Sequence, residues 1–364
     1  MEYIDGRPVA SVQASALKAG GRQAGAKRRP ADGSRRSGTE TSGCRTRLFD
    51  ADRTDHHLSF EDALAHKQTE RQLLWIDVTS PMDPKAAAAL VERLDLKPAT
   101  QEALVEGLAV STIALHGTYF TLALATIAGQ HNREEARWLT IIAGRNVIVT
   151  VHAEPIDFLD KLDDRIEADT LVGLIDSGSF VAALLDEVVT GYFAAVDAIE
   201  DSIDSLDSKS LRPDVRDDLL LELIALRQRI ARLRRIVSSH RELFAALGRP
   251  DFAAIAGGEA AEPYRTVAER YERAVEAVKS GRELLLGSFD VYMTRTTQRT
   301  NEIVKTLTIV SIVLLPAGVI AALMGMNPKP PYSKEDPLTF WLVILLVVGV
   351  AVATLVILRV RRWL

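Results

Sequence analysis

The sequence predicts an α+β membrane protein: a large N-terminal α/β domain with a mixed sheet, a long helical stalk, and two transmembrane helices near the C-terminal end. Three observations predict it. At 364 residues the chain exceeds the usual single-domain range. Its mean hydropathy is only slightly positive, yet residues 306–326 and 338–358 form two runs of 21 residues without a formal charge, and about 20 suffice to cross a bilayer. Between residues 47 and 152, short β-branched and aromatic segments alternate with helical ones; after that, helical periodicity dominates.

Residues 1–46 read as a disordered basic tail, because through residue 47 the chain carries ten Lys/Arg against four acids and shows no periodicity. Without that segment the net charge of residues 48–364 is −11, which suits attraction of cations, and no nucleic-acid partner is expected. The domain proper is expected over 47–260. Its strands are expected at 73–78, 109–115, 119–127, 138–143 and 146–152, with helices at 83–94 and 99–106. Asp83 then Pro84 reads as an N-cap followed by proline at the first helical position, and Gly144-Arg145 as the tight turn between the last two strands. Helices are expected at 155–169, 179–211 and 213–247, the last two as an antiparallel hairpin restarted by Pro213. Asp197, Asp201 and Asp204, with Glu200 and Asp207, line one face, and Arg227, Arg229, Arg232, Arg234 and Arg235 load the partner helix, so charges are expected to pair across it.

One helix is expected from about Pro263 to Met324, roughly 90 Å long, comprising a stalk over 261–305 and the first span over 306–326. Tyr271, Val278, Leu285 and Tyr292 recur every seven residues, the spacing of a coiled-coil seam that parallel copies around an axis would fill. From the end of the stalk into the span Asn301, Val304, Thr308, Ser311, Leu315 and Gly318 continue on three- and four-residue steps. This face is small or polar and is expected to line an oligomer axis. Arg295, Arg299 and Lys305 precede the first span, and Arg359, Arg361 and Arg362 follow the second in a basic end over 359–364. The positive-inside rule therefore places both termini in the cytoplasm of a multi-pass inner-membrane protein, with the 327–337 loop outside. Residues 1–20 lack an apolar stretch long enough for a cleaved signal.

The first span ends in Gly325-Met326-Asn327, close before a second, final span. This arrangement, with Asp290-Val-Tyr, Thr300-Asn301-Glu302, Lys305, Leu307-Thr308-Ile309 and Pro316 ahead of it, resembles the CorA metal ion transporter family. The resemblance implies a funnel-shaped homopentamer whose first transmembrane helices line the pore. It makes Gly325, Met326 and Asn327 the selectivity filter and Asn327 the ring that contacts the metal through its hydration shell. Magnesium dehydrates reluctantly, so neutral amide oxygens suit it. Asn301 would form an inner polar ring, and Val304, Leu307 and Leu315 apolar constrictions, with Thr308, Ser311 and Gly318 along the same lining. The transported ions implied are Mg2+, Co2+, Ni2+ or Zn2+, with no resident cofactor. The family's regulatory stalk aspartate falls at Thr266, leaving Glu269, or Glu272 and Glu276, as substitutes. After the tripeptide the loop carries Lys329 and Lys334 against Glu335 and Asp336, unlike the family's acidic segment.

The rival reading is a ZntB-like Zn2+ transporter, proton-coupled, which the unusual loop and Trp363-Leu364 favour and Met326 opposes. A non-conducting membrane scaffold would show no flux. An enzyme is not expected: His56, His57, His116, His152 and His240 show no metal-ligand spacing, and neither a phosphate loop nor a nucleophile elbow occurs. The single cysteine, Cys44, excludes an internal disulfide and a cysteine-based zinc cluster.

Overall fold

The computed structural model describes residues 3–4, 7–8, 43–52, 55–128, 135–165, 176–210, 218–249, 252, 261–325 and 337–360. The chain divides into two compact units, residues 1–286 and 287–364. In the first, β1 (Tyr3–Ile4) and β2 (Arg7–Pro8) make a two-stranded pair apart from the main sheet. That sheet comprises β3 (Cys44–Asp50), β4 (His56–His57), β5 (Gln72–Thr79), β6 (Thr112–Leu115), β7 (Tyr119–Ala128), β8 (Glu135–Gly144) and β9 (Val147–His152), in the order β4-β3-β5-β9-β8-β7-β6. Only β5 and β9 pair in parallel, so the sheet is mixed as expected.

Every residue of β9, and 73–78 of β5, is buried, because helices cover both faces of these central strands. On one face Leu74, Ile76, Val78, Val147, Val149 and Val151 pack with Ala63, Ala87, Leu90 and Leu104 of three short helices: α1 (Phe60–Ala65), α2 (Pro84–Arg93) and α3 (Ala99–Val105). Asp83 caps α2, its carboxylate accepting from the Ala86 amide at 3.3 Å, with Pro84 at the first position. On the other face Trp75 and Phe49 meet Phe180 at centroid distances of 6.1 and 6.0 Å.

Three expectations are corrected in this sheet. The tail does not run to residue 46, since β3 begins at Cys44 and pairs with β5 along its whole length, Arg45 opposite Asp77. Arg45 and Arg47, counted among the basic residues of the tail, belong to this strand instead, with Arg47 buried at 7% exposure beside Leu48 and Phe49 at 1% and 0%. The β8–β9 turn lies at Arg145-Asn146, one residue later than Gly144-Arg145. Gly144 still pairs with Val147, and Asn146 takes the left-handed conformation (φ 59°) that asparagine tolerates.

The helical part follows: α4 (Asp157–Arg165), α5 (Ser177–Ser210), α6 (Asp218–Ser239), α7 (Arg241–Leu247) and α8 (Ala261–Gly325), which continues into the second unit. Pro213 lies outside the described residues. The single helix expected to reach Leu247 is instead broken at His240, and the sheet explains why. Strand β6 pairs with β7 only as far as Ala123, leaving the next outward polar groups of β7 without a strand partner. His240 Nε2 accepts the Ala125 amide at 2.8 Å and Tyr192 Oη donates to the Ala125 carbonyl at 2.6 Å, so two side chains replace the missing strand. Across the α5–α6 hairpin Lys209 pairs with Glu222 at 2.8 Å, and buried Arg229 reaches Ser202 Oγ at 3.4 Å, while Asp197, Asp201 and Asp204 are exposed.

The seam along α8 is also corrected. Tyr271, Val278 and Leu285 are 0%, 2% and 4% exposed within the one chain, so through residue 285 this stripe needs no second copy to bury it. Tyr271 stacks on Phe244 at 4.1 Å and donates to the Val237 carbonyl, Arg270 bonds Asp186 and Thr190, and a Cβ at Gly281 would meet Ile230 at 3.2 Å. The heptad spacing there reflects packing on the chain's own helices. In the second unit α8 is followed by α9 (Pro337–Val360), whose sequence has no formal charge before Arg359.

Burial pulls the His240 pKa down to about 4 from 6.5, with the Ile236 backbone opposing it. Between these values the unfolded chain binds the extra proton, so stability falls as pH drops through that window, by ~2 kcal/mol from pH 7 to pH 5. Asp77, held below its ordinary value of 3.8, loses its contribution only at still lower pH. Urea unfolding of the detergent-solubilised chain, followed by tryptophan fluorescence, should show this loss in the parent. In His240→Gln the chain should be weaker at pH 7 but nearly flat down to pH 5; an unchanged slope would exclude His240 as its source.

Candidate functional site

The run 306–326 is long enough to cross hydrocarbon, so what each face of α8 meets decides what the second unit does. Ala317, Ile320 and Ala321 line an apolar recess of about 390 Å³ with Val343, Ile344, Val347 and Val348 of α9. At about 100° per residue, Asn301, Val304, Thr308, Ser311, Leu315 and Gly318 lie on the opposite face, roughly 150° away. That stripe is uncovered: Val304 is 54% and Leu315 67% exposed, Asn301, Ser311 and Gly318 are exposed, and a Cβ at Gly318 would meet nothing within 4 Å. Leu307, at its edge, is 64% exposed. Thr308 turns its hydroxyl back to the Val304 carbonyl at 2.6 Å, which satisfies the donor while leaving the oxygen able to accept.

A face of this composition is costly against lipid, where polar side chains lose their water partners. Small residues at Ser311 and Gly318 allow close approach of another helix or leave space for water, and Asn301 and Thr308 offer polar oxygens. Pro316 lies within α8 without ending it; its missing N–H leaves the Ile312 carbonyl without its helical donor. The helix closes at Gly325, but Met326, Asn327 and the loop to 336 lie outside the described residues.

The first unit holds one buried polar cluster that the sequence reading did not single out. Asp77, 3% exposed, accepts from Arg45 Nη2 at 2.6 Å, from Thr150 Oγ1 at 2.6 Å and from His152 Nε2 at 3.1 Å, and Trp75 Nε1 donates to Thr150 at 3.0 Å. Arg45 continues to Asp160 on α4 at 2.7 Å. Burial pushes the Asp77 carboxyl up, but the bonds and charges of His152, Thr150 and Arg45 outweigh it and hold the pKa below the usual value. Burial and Asp77 together push the pKa of the half-buried Cys44 thiol up to about 12, so little reactive thiolate forms near neutral pH. The cavity beside the cluster, about 10 Å³, has room for a single water, so the cluster staples β3, β5, β9 and α4 rather than binding a ligand. The one signal in the sequence was a lone aspartate inside the apolar run Leu-Leu-Trp-Ile-Asp-Val.

Among the described residues, no group of three or more His, Cys, Asp or Glu side chains is arranged to hold a metal ion. Glu269 lies 4.0 Å from Arg265, Glu272 3.7 Å from Arg241 and Glu276 3.1 Å from Lys279, so each candidate regulatory carboxylate has a basic neighbour. Thr266 donates to the Glu262 carbonyl of its own helix.

The profile described as "CorA-like Mg2+ transporter protein" matches residues 70–362. The cobalt/magnesium transport protein CorA of Thermotoga maritima is 24% identical over 299 residues, 80% of this chain and 83% of that protein. The solved CorA magnesium transporter of Methanocaldococcus jannaschii superposes with a TM-score of 0.71 at 18% identity, covering 89% of this chain and 99% of that one. The ZntB cytoplasmic domain of Vibrio parahaemolyticus gives 0.55 at 14% identity, over 70% and 99% of the two chains.

If the uncovered stripe meets water in the assembled protein, single cysteines there are accessible to charged thiol reagents. In proteoliposomes Thr308→Cys and Ser311→Cys should label with such a reagent, Ala317→Cys should not, and half-buried Cys44, its thiol pKa raised, should give little background. Equal labelling at Ala317, or none at Thr308 and Ser311, would contradict the assignment of faces.

Proposed function

Since the chain belongs to the CorA-like Mg2+ transporter family, and so to metal ion transporters rather than enzymes, we propose that it conducts hydrated Mg2+ and Co2+ through a pore lined by α8. The observation that carries the reading is the small and polar face of α8 that α9 leaves uncovered. Five copies arranged with that face inward would enclose it, as the family resemblance implies. Residues 306–326 and 338–358 then span the inner membrane, with both termini cytoplasmic and the 327–337 loop outside.

In this account the ion keeps its first hydration shell. Asn327, at the outer end of the span, offers neutral amide oxygens to the bound waters; a carboxylate there would hold a divalent ion more tightly and release it more slowly. Gly325 lets neighbouring backbones crowd at the helix end, and Met326 packs behind the amide ring. Asn301 forms a second polar ring at the inner end. Val304, Leu307 and Leu315 narrow the path with apolar side chains that stop conduction by dewetting when they approach. Ni2+ is accepted on the same terms. The likeness to the ZntB domain concerns the fold of the cytoplasmic part and gives no separate support for zinc or for proton coupling.

Substitution at Asn327 separates an ion-selecting ring from a helix-ending asparagine. Asn327→Ala and Asn327→Gly should abolish Mg2+ uptake into proteoliposomes while the oligomer still forms in detergent. Asn327→Asp should conduct slowly and with a pH dependence, because closely spaced carboxylates raise one another's pKa. Native uptake and ion preference in Asn327→Gly would overturn the ring, since glycine serves as well at a helix C-terminus.

A further inference from the structure

Four cations stand at one end of the second unit's apolar helices. Arg295, Arg299 and Lys305 precede the uncharged run on α8, and Arg359 ends the uncharged run on α9. All four are exposed, and none forms an ion pair among the described residues, although Glu302 lies three residues from both Arg299 and Lys305. Glu302 is the single acid within 295–310 and 337–360, so this end carries a net charge of +3.

Their positions on the helices matter as much as their number. Arg299 stands 18 residues before Ala317, close to five full turns, and so on the face of α8 that meets α9. Arg295 is one turn further out on the same side. From the level where Ala317, Ile320 and Ala321 meet Val343 to Val348, Arg359 lies ~20 Å along α9 and Lys305 ~22 Å back along α8. The cations of the two helices therefore reach one level, with Arg299 ~10 Å beyond it, inside the thickness of a headgroup layer plus the length of an arginine side chain. On the α9-facing side Glu302 and Thr306 follow Arg299, and below them Val310 and Val313 carry an apolar surface down to the recess between the two helices.

We propose that Arg299 and Arg359, flanked by Arg295 and Lys305, bind the phosphate headgroups of anionic phospholipids at the inner edge of the membrane. Cations stacked above an apolar helix surface match an amphipathic anion, whereas a soluble phosphate would use only the charges. The site is on the side of α8 away from the conducting face, so the ligand acts as an annular lipid that holds the α8–α9 pair at its depth. The inference rests on the reading of 306–326 and 338–358 as membrane spans, and not on ion conduction.

The test uses the full chain in detergent, titrated with phosphatidylglycerol or phosphatidylcholine in mixed micelles and read by native mass spectrometry, with Mg2+ flux measured on the same preparations. The parent should retain phosphatidylglycerol in preference to phosphatidylcholine. In Arg299→Gln/Arg359→Gln the preference should fall by roughly tenfold to thirtyfold, and Arg299→Lys/Arg359→Lys should keep most of it, because the attraction is one of charge. Equal retention of both lipids by the parent, or an unchanged preference in the glutamine variant, would overturn the proposal. Complete removal of phosphatidylglycerol by millimolar inorganic phosphate would also overturn it, by assigning the site to a soluble anion. Selective lipid retention by a protein without flux would sustain this inference while refuting the conduction reading; flux without lipid preference would do the reverse.

Discussion

A polar or small side chain inside a hydrocarbon-length helix has no water to replace a missing partner, and this constraint governs the second unit. Packing α9 on Ala317, Ile320 and Ala321 buries apolar surface against apolar surface and leaves Asn301, Thr308, Ser311 and Gly318 on the bare side. A chain that stopped there would present the Thr308 and Ser311 hydroxyls to lipid. In the proposed assembly, self-association around that face would remove the conflict and create an enclosed path without charged walls. Neutral oxygens in such a path suit an ion that passes with its water, and bulky apolar residues at Val304 and Leu315 supply positions where that water can be expelled.

The first unit answers a different demand, which is rigidity. Arg45, Thr150 and His152 converge from two neighbouring strands on the buried Asp77, and removal of Asp77 would take their shared acceptor out of a nearly dry interior. On the far side of the sheet's β7 strand, His240 and Tyr192 close the Ala125 backbone. Helix α8 is then seated by Tyr271 on Phe244 and by Arg270 on Asp186, with Gly281 permitting contact at Ile230. These contacts use up the stalk's heptad from Tyr271 to Leu285 inside one protomer, so in the proposed assembly that stripe would not face the axis.

Much of this was legible in the sequence, and the failures have physical causes. Strands β5 and β9 were readable because burial on both faces demands apolar, β-branched and aromatic runs, interrupted in β5 only at Asp77, and the α2 cap because Asp83-Pro84 has one obvious use. Strand β3 was hidden because Arg45 and Arg47 look like solvated charges until Arg45 stands opposite Asp77 and Arg47 opposite Trp75. The break at His240 depends on a backbone 115 residues away, which no local pattern contains. The seam at Tyr271, Val278 and Leu285 was seen correctly as a buried stripe but given the wrong partner, since heptad spacing records only that one face is covered. The periodicity of small and polar residues along α8 was legible in the sequence, whereas that α9 packs on the opposite side and leaves this stripe uncovered was not. The cationic end had been read only as a topology signal, because its convergence needs the register of α8 against α9.

Purified protein in liposomes loaded with a magnesium-sensitive dye, given an inward Mg2+ gradient and no pH difference, tests the central claim most directly. The account predicts saturable Mg2+ entry that Co2+ shares and that an imposed proton gradient leaves unchanged in rate. Entry that requires an inward proton gradient, or that occurs with Zn2+ alone, would contradict conduction of the hydrated ion down its own gradient.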